Sequence, residues 1–125
     1  MKLIDVVNAR KVIVSKAAVK GVNFWTSFKF MKFMKATEDD ERFYETKRKE
    51  LIEKFATKDE QGNLIVENNQ CRFTNENLEE ANKELVELAE TKVEIPESLK
   101  FTEQELDKME FTIEEVSVIY DLIKE

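Results

Sequence analysis

Apolar residues recur every three or four positions over most of this chain. Val6, Ala9, Ile13 and Ala17 keep that spacing, which predicts a helix over residues 5–18. Val12, Val14 and Val19 are β-branched, so a strand competes for part of the same stretch. Gly21 interrupts the pattern, and Asn23 is placed to cap the next helix. Residues 24–56 contain no Gly or Pro. Phe24, Phe28, Met31 and Met34 lie there at helical spacing, with Phe30 and Phe33 widening the face. Lys29 and Lys32 fall outside that face, and Lys35 falls within it at its C-terminal end. Residues 35–42 have Ala36 as their only apolar residue. Phe43, Tyr44, Leu51, Ile52 and Phe55 then resume the stripe, with the stem of Lys47 filling its gap. The pattern favours one long helix over 24–56, with 37–40 as the place for a kink.

Residues 57–63 carry turn chemistry, and Gly62 is suited to a positive φ. Leu64-Ile65-Val66-Glu67 is β-prone, Asn68-Asn69-Gln70 can turn the chain, and Cys71-Arg72-Phe73 can return it. These segments predict a small hairpin near 64–73. Thr74 is placed as an N-cap, and Leu78, Ala81, Leu85, Leu88 and Ala89 form the seam of a helix over 75–90. Residues 91–95 read as extended and end at Pro96. Thr102-Glu103-Gln104-Glu105 and Thr112-Ile113-Glu114-Glu115 match the capping box, and predict helices over 103–109 and 113–124. The expected fold is α+β, mostly α, in one domain over residues 1–125. A long helix and an antiparallel partner helix flank a small β-hairpin, and short C-terminal helices come after them. The pair should meet through Leu51, Ile52, Phe55, Leu78, Leu85 and Leu88.

Composition narrows the chemistry. The 125 residues include no histidine, which removes every mechanism that needs a histidine base, ligand or nucleophile. The single cysteine, Cys71, excludes an intramolecular disulfide and a multi-cysteine zinc site. Two glycines cannot build a glycine-rich phosphate loop. Of 20 Lys/Arg and 27 Asp/Glu, eight and one fall in residues 1–35, leaving 12 and 26 for the rest. A basic, aromatic-rich segment 1–35 therefore precedes an acidic segment 36–125. Either the two attract and pack together, or they offer a basic and an acidic partner surface. The start of the chain meets Asp5 after two apolar residues, and no apolar run approaches the roughly 18 residues of a membrane span. A soluble cytoplasmic protein is expected, with no membrane partner.

The richest segment is 24–35, which holds Trp25, four Phe and two Met between lysines. Core is its first explanation. As a surface it could lie on a membrane, though the acidic remainder opposes anionic lipid. It could bind nucleic acid or a nucleotide through Lys29, Lys32 and Lys35, with Trp25 for stacking. It could bind a protein through Trp25, Phe30 and Phe33, and this ranks first of the three. Asp39, Asp40 and Glu41 form an acidic cluster able to enter a basic groove on such a partner. Glu79-Glu80 and Glu103/Glu105 are further acidic pairs, read as solvated charge. Residues 57–68 match the calcium-loop pattern only in part. Asp59 and Gly62 fit it, but Asn68 stands where a bidentate Glu is needed. No metal, cofactor or catalytic residue is expected. Cys71 beside Arg72 reads as a small buried hydrophobe on a strand.

Residues 44–55 are a charged helix ending in Phe55. Lys58-Asp59-Glu60-Gln61-Gly62-Asn63 comes next, then the charged stretch 81–88 and Val93-Glu94-Ile95. This middle part resembles a family of small proteins from tailed phages and prophages of Gram-positive bacteria. The resemblance implies a viral accessory or assembly protein and brings no assigned chemistry. The leading expectation is thus a non-catalytic phage protein that binds and inhibits a host protein, in a defence or nucleic-acid-handling complex. A virion-assembly or minor morphogenesis protein with a phage structural partner is the alternative, and a nucleotide or nucleic-acid binder the third reading.

Overall fold

A computed structural model describes residues 1–18, 21–107 and 109–124. Val19, weighed above as part of a strand, and Lys20, counted in the basic segment, lie outside the described residues, as do Lys108 and Glu125. The chain is 64% helical with a two-stranded antiparallel sheet, a mostly-α α+β fold.

Helix α1 (Leu3–Ala17) settles the first ambiguity. It buries Leu3, Val6, Val7, Ala9 and Ile13, and that burial outweighs the strand preference of its valines. Helix α2 (Phe24–Ala36) starts where Asn23 accepts a hydrogen bond from the Thr26 N–H at 2.9 Å. Helix α3 (Glu38–Phe55) begins directly after it. The single long helix expected over 24–56 is corrected here: it is two helices, broken at Thr37.

The break has a physical cause. Thr37 leaves helical geometry, with φ −107° and ψ 5°. Its hydroxyl donates back to the Phe33 carbonyl at 2.8 Å, which competes with the regular ladder. The Met34 carbonyl, left over at the end of α2, accepts from the Arg10 guanidinium at 2.6 Å. The same guanidinium donates to the Thr37 hydroxyl at 2.7 Å and pairs with Glu41. One side chain of α1 thereby clasps the α2–α3 junction.

After α3, Asp59 accepts from the N–H groups of Gln61 and Asn63, both at 2.9 Å, and Gly62 adopts φ 83°. The carboxylate offered above as a partial calcium ligand is thus spent on the turn. Strands β1 (Val66–Glu67) and β2 (Gln70–Cys71) pair antiparallel, Val66 opposite Cys71 and Glu67 opposite Gln70. Asn68 and Asn69 turn the chain at φ 52° and 64°, the left-handed pair that a tight two-residue hairpin needs. Cys71 is only half-buried rather than enclosed. Thr74 caps α4 (Asn75–Ala89), which returns antiparallel along α3.

Both capping boxes form as the sequence indicates, Thr102 with Glu105 and Thr112 with Glu115. The helices they open are shorter than expected. Helix α5 is Glu103–Leu106, and α6 is Ile113–Ile119, which tightens into a 3-10 turn at Tyr120–Leu122.

The core lies between α1, α2 and this C-terminal segment. Ala9, Ile13, Phe30, Phe33, Phe101, Leu106, Ile119 and Leu122 form one cluster. Phe101 sits at its centre, 4.9 Å from the Phe30 ring and 6.4 Å from the Phe33 ring. Its backbone is fixed by bonds to Leu122 and Lys124, both 2.7 Å. Each buried aromatic contributes about 1.5–3 kcal/mol of transfer energy. The segment after α4 joins the start of α1, where the Leu3 N–H meets Thr91 and the Val93 N–H meets Met1, both at 2.7 Å.

Candidate partner-binding face

Helix α2 is apolar on two opposite sides, and the structure assigns each side a different role. Thr26, Phe30, Phe33 and Thr37 keep a four-three-four spacing and are at most 2% exposed. The expectation that Phe30 and Phe33 contact a partner is therefore corrected: both rings are inside, against Phe101. Of the row Phe24, Phe28, Met31 and Met34, the first three lie toward the outer side, with Phe28 half-buried, while Met34 packs against the core. Phe24 is 69% exposed, Trp25 74% and Met31 44%. Two adjacent large aromatics at this exposure are uncommon on a small surface.

These rings form an ordered ridge. Phe24 meets Trp25 edge to face at 5.4 Å and stacks on Phe28 at 5.9 Å. The Lys32 ammonium lies 4.7 Å from the Phe28 centroid. Lys35 is exposed one turn farther on, and neither lysine forms an ion pair with a described residue. Lys29 is different. It pairs with Glu105 at 2.8 Å and lies over the Phe101 ring, so it ties α2 to α5. Of the three lysines expected to contact phosphate, two remain on the open surface.

Four of the segment's seven described Lys/Arg side chains are answered internally, Lys2 by Glu90 at 3.9 Å among them. Arg10 meets Glu41, Lys16 meets Glu115 at 3.0 Å, and Lys29 meets Glu105. Lys16 also donates to the Glu110 carbonyl and lies 5.0 Å from the Phe111 centroid. These contacts support the account in which the two unlike segments pack together. The Glu105 carboxyl feels burial first, which raises its pKa. Hydrogen bonds from Lys29 and Thr102, with the charge of Lys29, outweigh that and hold it below the usual carboxylate range. Glu115 is lowered by the Thr112 N–H and by Lys16, and Glu97 by Lys100.

The acidic cluster also has structural work. Asp39 and Glu38 both pair with Arg42, at 3.0 and 3.3 Å, and Glu41 is held by Arg10. Together with half-buried Asp40 they fill the first turn of α3, where the helix dipole favours negative charge. Trp25 and the acidic cluster lie on different helices, on opposite sides of the Thr37 break.

Among the described residues no group of acids and cysteine is arranged to hold a metal ion, and no helix is long and apolar enough to cross a membrane. Arg10 is the structural side chain that sequence reasoning missed. It lies 24 to 31 positions from its partners, and no local pattern signals that distance. No family model, curated protein or solved structure matches the chain.

Proposed function

We propose that this is a non-catalytic binding protein whose contact surface is the outer face of α2. Its anchors are Phe24 and Trp25, supported by Phe28 and Met31 and flanked by Lys32 and Lys35. One observation carries the reading: Phe24 and Trp25 are ordered against each other while both stand in solvent. A pre-arranged aromatic pair loses little conformational freedom on docking, and such residues dominate the energy of protein interfaces. The resemblance to small phage proteins extends the proposal. The partner is then a host protein, and the protein acts by occupying it.

The acidic cluster moves to a lesser role in this proposal, because its charges are largely engaged by Arg10 and Arg42. The test is affinity capture from host lysate with three baits: the native chain, F24S/W25S and D39K. The native chain and D39K should retain the same stoichiometric partner, and F24S/W25S should lose it. Loss of the partner with D39K alone would return the contact to the acidic cluster. Equal capture by all three baits would remove both surfaces.

A further inference from the structure

The α3–α4 pair leaves one of its faces open. Phe43, Lys47, Leu51 and Lys54 line it from α3, four residues at helical spacing. Glu84, Glu87 and Leu88 face them from α4 across a groove of about 480 Å³. Phe43, Leu51 and Leu88 give the groove its apolar lining, and Glu84 and Glu87 its carboxylates. One oxygen of Glu84 is shielded from solvent with no hydrogen-bond partner, and the other is 3.9 Å from Lys54. The groove's own cations are partly committed. Lys47 pairs with Glu50 at 3.3 Å and lies near the Phe43 ring, and Lys54 lies over the Phe55 ring.

The outer face of α2 has the complementary chemistry. It offers an aromatic ridge with Lys32 and Lys35, which no described carboxylate answers. Its 13 residues span about 20 Å, and the 15 and 18 residues of α4 and α3 span about 22 and 27 Å. A helix of this length laid on a two-helix groove completes a three-helix layer. Within one chain this cannot happen, because Phe30 and Phe33 fix the opposite side of α2 in the core.

We infer that two copies of this chain associate head to tail, with the outer face of α2 on one copy seated in the α3–α4 groove of the next. Lys32 and Lys35 meet the carboxylates of Glu84 and Glu87, and the aromatic ridge covers Phe43 and Leu51. Such a contact joins two different surfaces, so each copy carries one of each. A partner that takes the α2 face competes with the second copy for it.

Sedimentation equilibrium from micromolar to millimolar protein tests this, using the native chain, the ridge variant F24S/K32E and the groove variant F43S/E87K. Circular dichroism verifies that both variants fold, since all four substituted side chains are exposed. The native chain should gain mass with concentration, and added salt should weaken it. Each variant alone should associate at least about tenfold more weakly. An equimolar mixture should recover a heterodimer, because one intact ridge and one intact groove remain. A native chain that stays monomeric throughout overturns the inference. So does association that survives in either variant, or a mixture that fails to recover it.

Discussion

The two halves of the molecule use the same helical periodicity with different results. In α1, α2 and the C-terminal segment, the stripes meet from three directions and enclose Phe33, Phe101 and Leu122 completely. In the arm formed by α3, the hairpin and α4, the two helices meet each other and lean on one side of α1, which leaves their other side open. Helix α3 has no buried residue, and α4 buries Ala81 alone. Helix α1 seals one flank of that pair, and no described element seals the other. The arm should therefore be the first part to open, and the core the last.

Single substitutions can break or sharpen this contrast. Phe33→Ala should cost about 3–5 kcal/mol in denaturant unfolding, because it empties space beside Phe101. Arg10→Ala ranks next, at about 2–4 kcal/mol, because the Glu41 carboxylate, the Met34 carbonyl and the Thr37 hydroxyl oxygen lose one shared donor together. Hydrogen exchange should then rise at residues 34–41 before it rises elsewhere. Leu51→Ala, in the arm, should cost about 1–2 kcal/mol, since its side chain is only half-buried. Equal costs for Phe33→Ala and Leu51→Ala would erase the distinction between the halves.

The C-terminal caps give a smaller, pH-dependent effect. Glu105 and Glu115 are held below the usual carboxylate range in the folded chain, so their contribution is present above the unfolded value and is lost as pH falls through the folded one. Melting temperature should drop on acidification from about pH 6 to about pH 3. E105Q/E115Q should melt lower at neutral pH and show a shallower acid limb; an unchanged limb would assign the acid sensitivity to other carboxylates. The smallest effect belongs to F24S/W25S, which should alter stability by no more than about 0.5 kcal/mol. A larger loss would mean that the aromatic ridge is part of the packing.

The features legible in the sequence are the local ones. Asn23, Thr74, Thr102 and Thr112 cap the helices that their positions indicate, because a cap depends on residues three positions apart. The hairpin and the positive φ of Gly62 come from turn chemistry in the same way. The orientation of α2 was not legible. Its sequence is apolar on both sides, so periodicity offers two faces and cannot choose between them. The choice falls to Phe101, some seventy positions away, which packs on Phe30 and Phe33. The break at Thr37 falls where the sequence places a kink, at 37–40, but that it divides the stretch into two helices was not legible. Thr37 supplies one part of the cause, through its bond to Phe33, and Arg10 of α1 supplies the part no local pattern shows.

The Arg10 clasp has a mechanical consequence. It fixes the angle between α2 and α3, and these helices carry the two surfaces that copies of the chain would share. A joint held by one guanidinium sets the curvature of whatever is built from repeated units. An exchange at Arg10 would leave ridge and groove chemically intact but bend the line from one copy to the next, turning a ring into a spiral or an extended row into an arc.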